Sequence, residues 1–129
     1  MATIFSKILS GEIPSCKIAE NDKYYAFLDV FPCALGHTLV IPKNEVDYIF
    51  DMDESDYLGL MAFAKSIEPA IKKAIPCKKV GVAVIGLEVP HAHVHLIPMN
   101  QISDMDFTKK LKPTSEELFE IAEKIKSYL

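Results

Sequence analysis

The chain has 129 residues, half of them hydrophobic, enough for one folded unit with a core of its own. Its formal charge is −4, it contains no arginine, and its longest basic runs are the pairs Lys72-Lys73, Lys78-Lys79 and Lys109-Lys110, which argues against a nucleic-acid groove. Those pairs read as solvated ends of helices and loops. No stretch has the length of unbroken apolar residues that a membrane span requires, and Met1 to Lys7 lacks a signal-peptide pattern, so a soluble, cytoplasmic protein is expected, with no membrane partner.

Residues 3–10 read as a short helix with Ile4, Phe5 and Ile8 on one side, closed by Gly11 at the left-handed position that glycine favours. Residues 17–19 and 24–30 form two strands across the polar turn 20–23, and residues 37–42 a third, stopped by Pro42. Asp53 heads the main helix, in which Tyr57, Leu60, Met61, Ala64, Ile67, Ile71 and Ala74 recur at helical spacing. Pro69 is expected to kink that helix or end its regular part, and Pro76 to finish it. Residues 80–85 and 91–97 supply two more strands. Beyond Asn100, Thr114 and Glu117 form a capping box ahead of a helix striped with Leu118, Ile121, Ala122 and Ile125, able to dock on its own domain or on a second subunit.

The fold class is therefore α+β: a five-stranded, mostly antiparallel sheet packed against one main helix, with a short N-terminal helix and an extra C-terminal one. Residues 1–129 form one domain, with a core at 3–99 and an extension at 100–129. Cys16, Cys33 and Cys77 are odd in number and widely spaced, which fits reduced thiols.

The chain has four histidines, and three of them stand at every second residue in His91-Ala92-His93-Val94-His95-Leu96-Ile97. In a strand the imidazoles share one face, while Ala92, Val94 and Leu96 share the other and would rest on the main helix. The fourth, His37, opens the third strand, so pairing of those two strands would gather every imidazole into one cluster. Three readings are open. The histidines are a half-exposed strand face, or a metal site, or an apparatus for nucleophilic and acid–base chemistry at a phosphorus or acyl centre. Metal is disfavoured because His91 and His95 stand roughly 13 Å apart at their bases at about 3.3 Å per residue, and no paired cysteines accompany them. A neutral imidazole is a competent nucleophile near pH 7, and its neighbours can orient it, hold an anion or protonate a leaving group.

With Ile4-Phe5, Gly11-Glu12-Ile13-Pro14, Ala26-Phe27-Leu28-Asp29, Gly36-His37-Thr38-Leu39-Val40-Ile41-Pro42-Lys43 and the three-histidine run in order, residues 3–99 resemble the histidine triad (HIT) superfamily, in its nucleotide-binding, phosphoramidase-like branch. The resemblance implies a HIT-like fold and a hydrolase or transferase that cleaves nucleoside phosphoramidates or related nucleoside monophosphate conjugates. It implies His93 as the nucleophile that becomes a nucleotidyl-histidine, His95 as the phosphate contact that helps protonate the leaving group, and His91 and His37 as supports. It also implies Asp29 as acceptor for the ribose hydroxyls, and Ile4, Phe5, Ile8, Phe27, Val30 and Leu39 as walls of a nucleobase pocket; plain core is the competing reading, an equal one for Ile8 and Leu39, with Phe5 and Phe27 the better candidates for base contact. The implied partner is a purine nucleotide or nucleoside monophosphate conjugate, and the implied assembly a homodimer. The cysteines and histidine of the zinc-binding members are missing at Phe5-Ser6 and Asn44-Glu45, so no metal or other cofactor is expected.

One segment departs from the family pattern. Val84-Ile85-Gly86-Leu87-Glu88-Val89-Pro90 is shorter than usual and lacks the asparagine, glutamine and serine that contact phosphate. Glu88 falls near the usual serine position, where its charge would repel a phosphate if it faced the site; pointing to solvent is the commoner fate of a loop glutamate. A non-catalytic, dimeric nucleotide sensor therefore stands as the alternative.

Overall fold

A computed structural model of the chain describes residues 3–129; Met1 and Ala2, part of the segment read for a signal peptide, lie outside it. The elements in chain order are α1 (Ile4–Leu9), β1 (Lys17–Glu20), β2 (Tyr24–Leu28), β3 (Thr38–Pro42), α2 (Glu54–Ala74), β4 (Lys79–Ala83), β5 (Val94–Met99) and α3 (Ser115–Lys126). The five strands form one sheet in the order β1-β2-β3-β5-β4, and every pairing is antiparallel.

Alternation along the strands divides the sheet into two faces. Tyr24, Ala26 and Leu28 of β2, Val40 of β3 and Val94 and Leu96 of β5 join the main core with Leu60, Ala64, Ile67 and Ile71 of α2. The opposite residues, Tyr25, Phe27, Leu39 and Ile41, form a second cluster with Phe5 of α1. In register, Phe27 lies beside Leu39, Leu39 beside His95, and His95 beside Ala83, so one row across this second face carries an imidazole among apolar neighbours.

The helix α2 continues through Pro69 to Ala74, so the proline does not end it. Pro69 is exposed, so the loss of a bond to the Lys65 carbonyl falls on the solvent side. On the other side Ile67, Ala70, Ile71 and Ala74 are buried and hold both halves on the sheet. Asp53 does cap the helix by position, although its carboxylate accepts from the Ser55 hydroxyl rather than from a backbone N–H. β2 stops at Leu28 because the Asp29 N–H donates to the His37 carbonyl and its carboxylate accepts from Phe31 N–H at 2.9 Å, turning the chain. β4 ends at Ala83 rather than Ile85, and β5 begins only at Val94.

The C-terminal helix docks on its own domain. Thr114 and Glu117 form the capping box, and Leu118, Ala122 and Ile125 enter the main core against α2 and β1. No described helix is long and apolar enough to cross a membrane.

Candidate active site

The histidine run is only partly strand. His91 and His93 precede β5, and the His91 N–H bonds to the Val89 carbonyl and Ala92 N–H to Val46 rather than to a ladder neighbour. The faces nonetheless sort as the spacing predicts, with Ala92, Val94 and Leu96 in the core under α2. His37 directly precedes β3 rather than opening it, and β3 pairs with the β5 strand that carries His95, so all four imidazoles are buried in one cluster.

Backbone groups decide which nitrogen of each neutral ring carries its proton. The Cys33 N–H donates to His37 Nδ1 at 3.1 Å, so the His37 proton sits on Nε2 and points at His95 Nδ1, 2.9 Å away. His95 then keeps its own proton on Nε2. His93 Nδ1 lies 2.7 Å from the His91 carbonyl, which only accepts; His93 therefore holds its proton on Nδ1 and leaves the Nε2 lone pair free. His91 donates through Nε2 to the Pro42 carbonyl at 2.8 Å and accepts at Nδ1 from the Thr3 hydroxyl at 3.2 Å.

A cavity of about 420 Å³ opens over this cluster, lined among others by His37, His93, His95, Asp29, Ile4, Phe5, Ile8, Phe27, Val30 and Leu39. Every candidate residue named from the sequence lines it except His91, which is fully buried behind the others. Phe5 sets its ring edge to face with His93, centroids 4.9 Å apart, and His93 and His95 are separated by 4.8 Å. The volume and apolar walls suit a small, flat ligand.

Burial disfavours the charged form of His37, His93 and His95. It pulls His37 down to about 3 and His95 to about 4, with the charges of neighbouring histidines and of Lys110 adding to the effect. His93 is lowered less, because its bond to the His91 carbonyl and the nearby Glu88 favour the protonated form. Burial raises the Asp29 carboxyl, while the Phe31 N–H and Lys110 oppose the shift. Asp29 Oδ2 stands 3.8 Å from His37 Nε2, beyond hydrogen-bond reach, and a neutral His37 makes no ion pair with it. Asp29, His37 and His95 do place ligand atoms within 4.8 Å of one another. His37 suits a metal poorly, since its Nε2 bears the proton and its Nδ1 lone pair is taken by Cys33.

Glu88 is exposed yet lines the cavity, and its charge reaches His93 and Asp29. The Lys109-Lys110 pair, expected among solvated ends, lies on the cavity rim together with Phe107, whose ring packs 4.8 Å from His95. Sequence reasoning missed Thr3, the Cys33 amide and Phe107. A backbone donor leaves no residue-type signal, and Phe107 is joined to the site only by the fold.

A family model described as the HIT domain matches residues 10–102. The chain belongs to the HIT family. It is 39% identical over 98 residues to the adenosine 5'-monophosphoramidase HNT1 of Saccharomyces cerevisiae, a match that covers 75% of this chain and 62% of the yeast protein. It is 37% identical over 102 residues to an uncharacterized HIT-like protein of Borreliella burgdorferi, covering 74% and 73% of the two chains. Among solved structures, a HIT-like protein from Bartonella henselae superposes with a TM-score of 0.88 at 32% identity, over 98% of this chain and 96% of that one. This HIT protein thus keeps the family's sheet and helices, and residues 103–129 lie beyond the matched domain.

Proposed function

We propose that this HIT protein hydrolyses nucleoside phosphoramidates or related nucleoside monophosphate conjugates through a covalent nucleotidyl-His93. The observation that carries the reading is the bond of His93 Nδ1 to the His91 carbonyl, which leaves the Nε2 lone pair free on a ring that lines the cavity beside His95, itself protonated on Nε2. The similarity to the yeast monophosphoramidase supports the same chemistry.

In the first step His93 Nε2 attacks phosphorus and the bond to the leaving group breaks. The Nδ1–H of the ring, now cationic, stays on the His91 carbonyl, which stabilises the charge. The leaving group departs with the Nε2 proton of His95, whose Nδ1 stays on the His37 N–H, and the negative charge left on that ring is balanced by the cationic His93. Water then attacks the adduct, gives its proton to the unprotonated His95 Nε2, and the phosphorus–nitrogen bond to His93 breaks to return a neutral ring. His37 holds His95 in the required tautomer, and His91 and Thr3 brace the nucleophile's backbone. Asp29 accepts from the ribose hydroxyls, and Phe5 and Phe27, with Ile4, Ile8, Val30 and Leu39, sandwich the base.

Mass spectrometry after mixing with an adenosine phosphoramidate tests this reading. An adenylyl adduct on His93 is expected, absent in His93→Ala, with turnover falling by at least ~10³-fold. Saturable binding without adduct or turnover in the wild type would instead establish a nucleotide sensor.

The same reading includes a cytoplasmic homodimer. The three cysteines are free, as a reducing compartment requires, and β4 is an edge strand that leaves Val82 exposed. Sedimentation at micromolar concentration is expected to give a dimer; a clean monomer would remove that element.

A further inference from the structure

The segment between β5 and α3 crosses the mouth of the cavity and is tied down on both sides. The Asp106 N–H donates to Cys33 Sγ, and the Leu111 N–H donates to the Pro32 carbonyl at 3.0 Å. Between these anchors Asp106 accepts from the Thr108 hydroxyl and N–H, and its carbonyl from the Lys109 N–H, which folds residues 106–109 into a tight turn. Phe107 seals the turn on the histidines, 4.8 Å from His95 and 6.4 Å from His37. The turn brings Lys110 into the cavity lining.

We propose that Lys110 is a phosphate-binding residue of this site, supplying from outside the matched domain the positive charge that the 86–90 loop does not. This inference rests on the nucleotide reading above. A phosphate entering this cavity meets neutral imidazoles and the carboxylates of Asp29 and Glu88, and the chain has no arginine to offset them. An anion among such groups needs a cation or several oriented donors. Gly86-Leu87-Glu88-Val89-Pro90 offers no side-chain donor.

Lys110 meets that need from a suitable position. Its charge acts on His37, His95 and Asp29 together, the groups that flank the space between the histidines and the ribose acceptor. Lys109 lines the rim without such an influence on the histidines. A lysine on a flexible stem binds phosphate as a point charge, so it recognises the anion without dictating the base or the leaving group.

Calorimetric titration with AMP and with adenosine, at two salt concentrations, tests the assignment. Lys110→Met is expected to weaken AMP about tenfold, to leave adenosine unchanged, and to flatten the salt dependence. Lys110→Arg should restore most of the affinity, and Lys112→Met, a nearby exposed lysine outside the cavity lining, should bind as the wild type does. A wild type that prefers AMP over adenosine together with a Lys110→Met variant that keeps the preference overturns the role of Lys110 and spares the nucleotide reading. A wild type that binds neither ligand overturns both.

Discussion

The centre of the site and its rim are built on opposite principles. At the centre, each of the four imidazoles is buried and held by at least one backbone or side-chain partner, so its proton has one place to sit. At the rim, Glu88, Lys109 and Lys110 are exposed charges on irregular chain, without a strand or helix to fix them. Chemistry that depends on a tautomer needs the first arrangement, because a ring that can flip loses either its lone pair or its proton donor. Selection among ligands tolerates the second, because a point charge in water acts over several ångströms and in many geometries.

The comparison breaks most easily at His37. In His37→Leu the Cys33 amide loses its acceptor and His95 loses the donor that fixes its proton on Nε2, so kcat is expected to fall about 100-fold with AMP affinity little changed. A fall in affinity as large as that in kcat would show that His37 binds rather than orients. The variant also carries a pH signature. Folding depresses the His37 pKa from 6.5 to about 3 and that of His95 to about 4, so between those values and 6.5 the unfolded chain binds more protons than the folded one. Stability is complete above pH 6.5 and is lost as pH falls through about 4 and about 3. The wild type should lose on the order of a few kcal/mol over that range, and His37→Leu measurably less in denaturant melts at matched pH. Equal losses would mean that His37 does not titrate as its burial requires.

A smaller effect is expected at the rim. Glu88→Gln removes a negative charge that reaches His93 and Asp29 without touching the core, so AMP should bind about threefold more tightly and the melting temperature should hardly move. Weaker binding in this variant would assign Glu88 to a cationic or hydrogen-bonding part of the substrate.

What was legible in the sequence follows the same division. The alternation of His91, His93 and His95 with Ala92, Val94 and Leu96 is a local pattern with a two-residue period, so it announced which side chains face the core. Strand pairing then had only to place His37 beside His95, and the register Leu39 to His95 does so. The proton positions were not legible, since Cys33, Pro42 and His91 act through backbone atoms that every residue type possesses. Nor was Lys110: a lysine pair near a turn reads as solvated, and only the bonds from Asp106 to Cys33 and from Leu111 to Pro32 bring it back to the site. At Pro69 the alternatives of a kink or an end could not be decided locally, because the rule for proline concerns one lost hydrogen bond, whereas the buried face of α2 carries the helix on to Ala74.

The crossing segment has a consequence for how such proteins can diversify. Its two ends are secured independently, by Leu111 on Pro32 and α3 in the core on one side and by β5 in the sheet on the other. Residues 105–110 therefore form a replaceable cassette: their sequence and charge can be rewritten, by natural drift or by design, while the strand pairs, the helix docking and the four proton positions stay where they are. Two chains with identical histidines could in this way hold a phosphate with quite different strength while the groups that fix the proton positions are left alone.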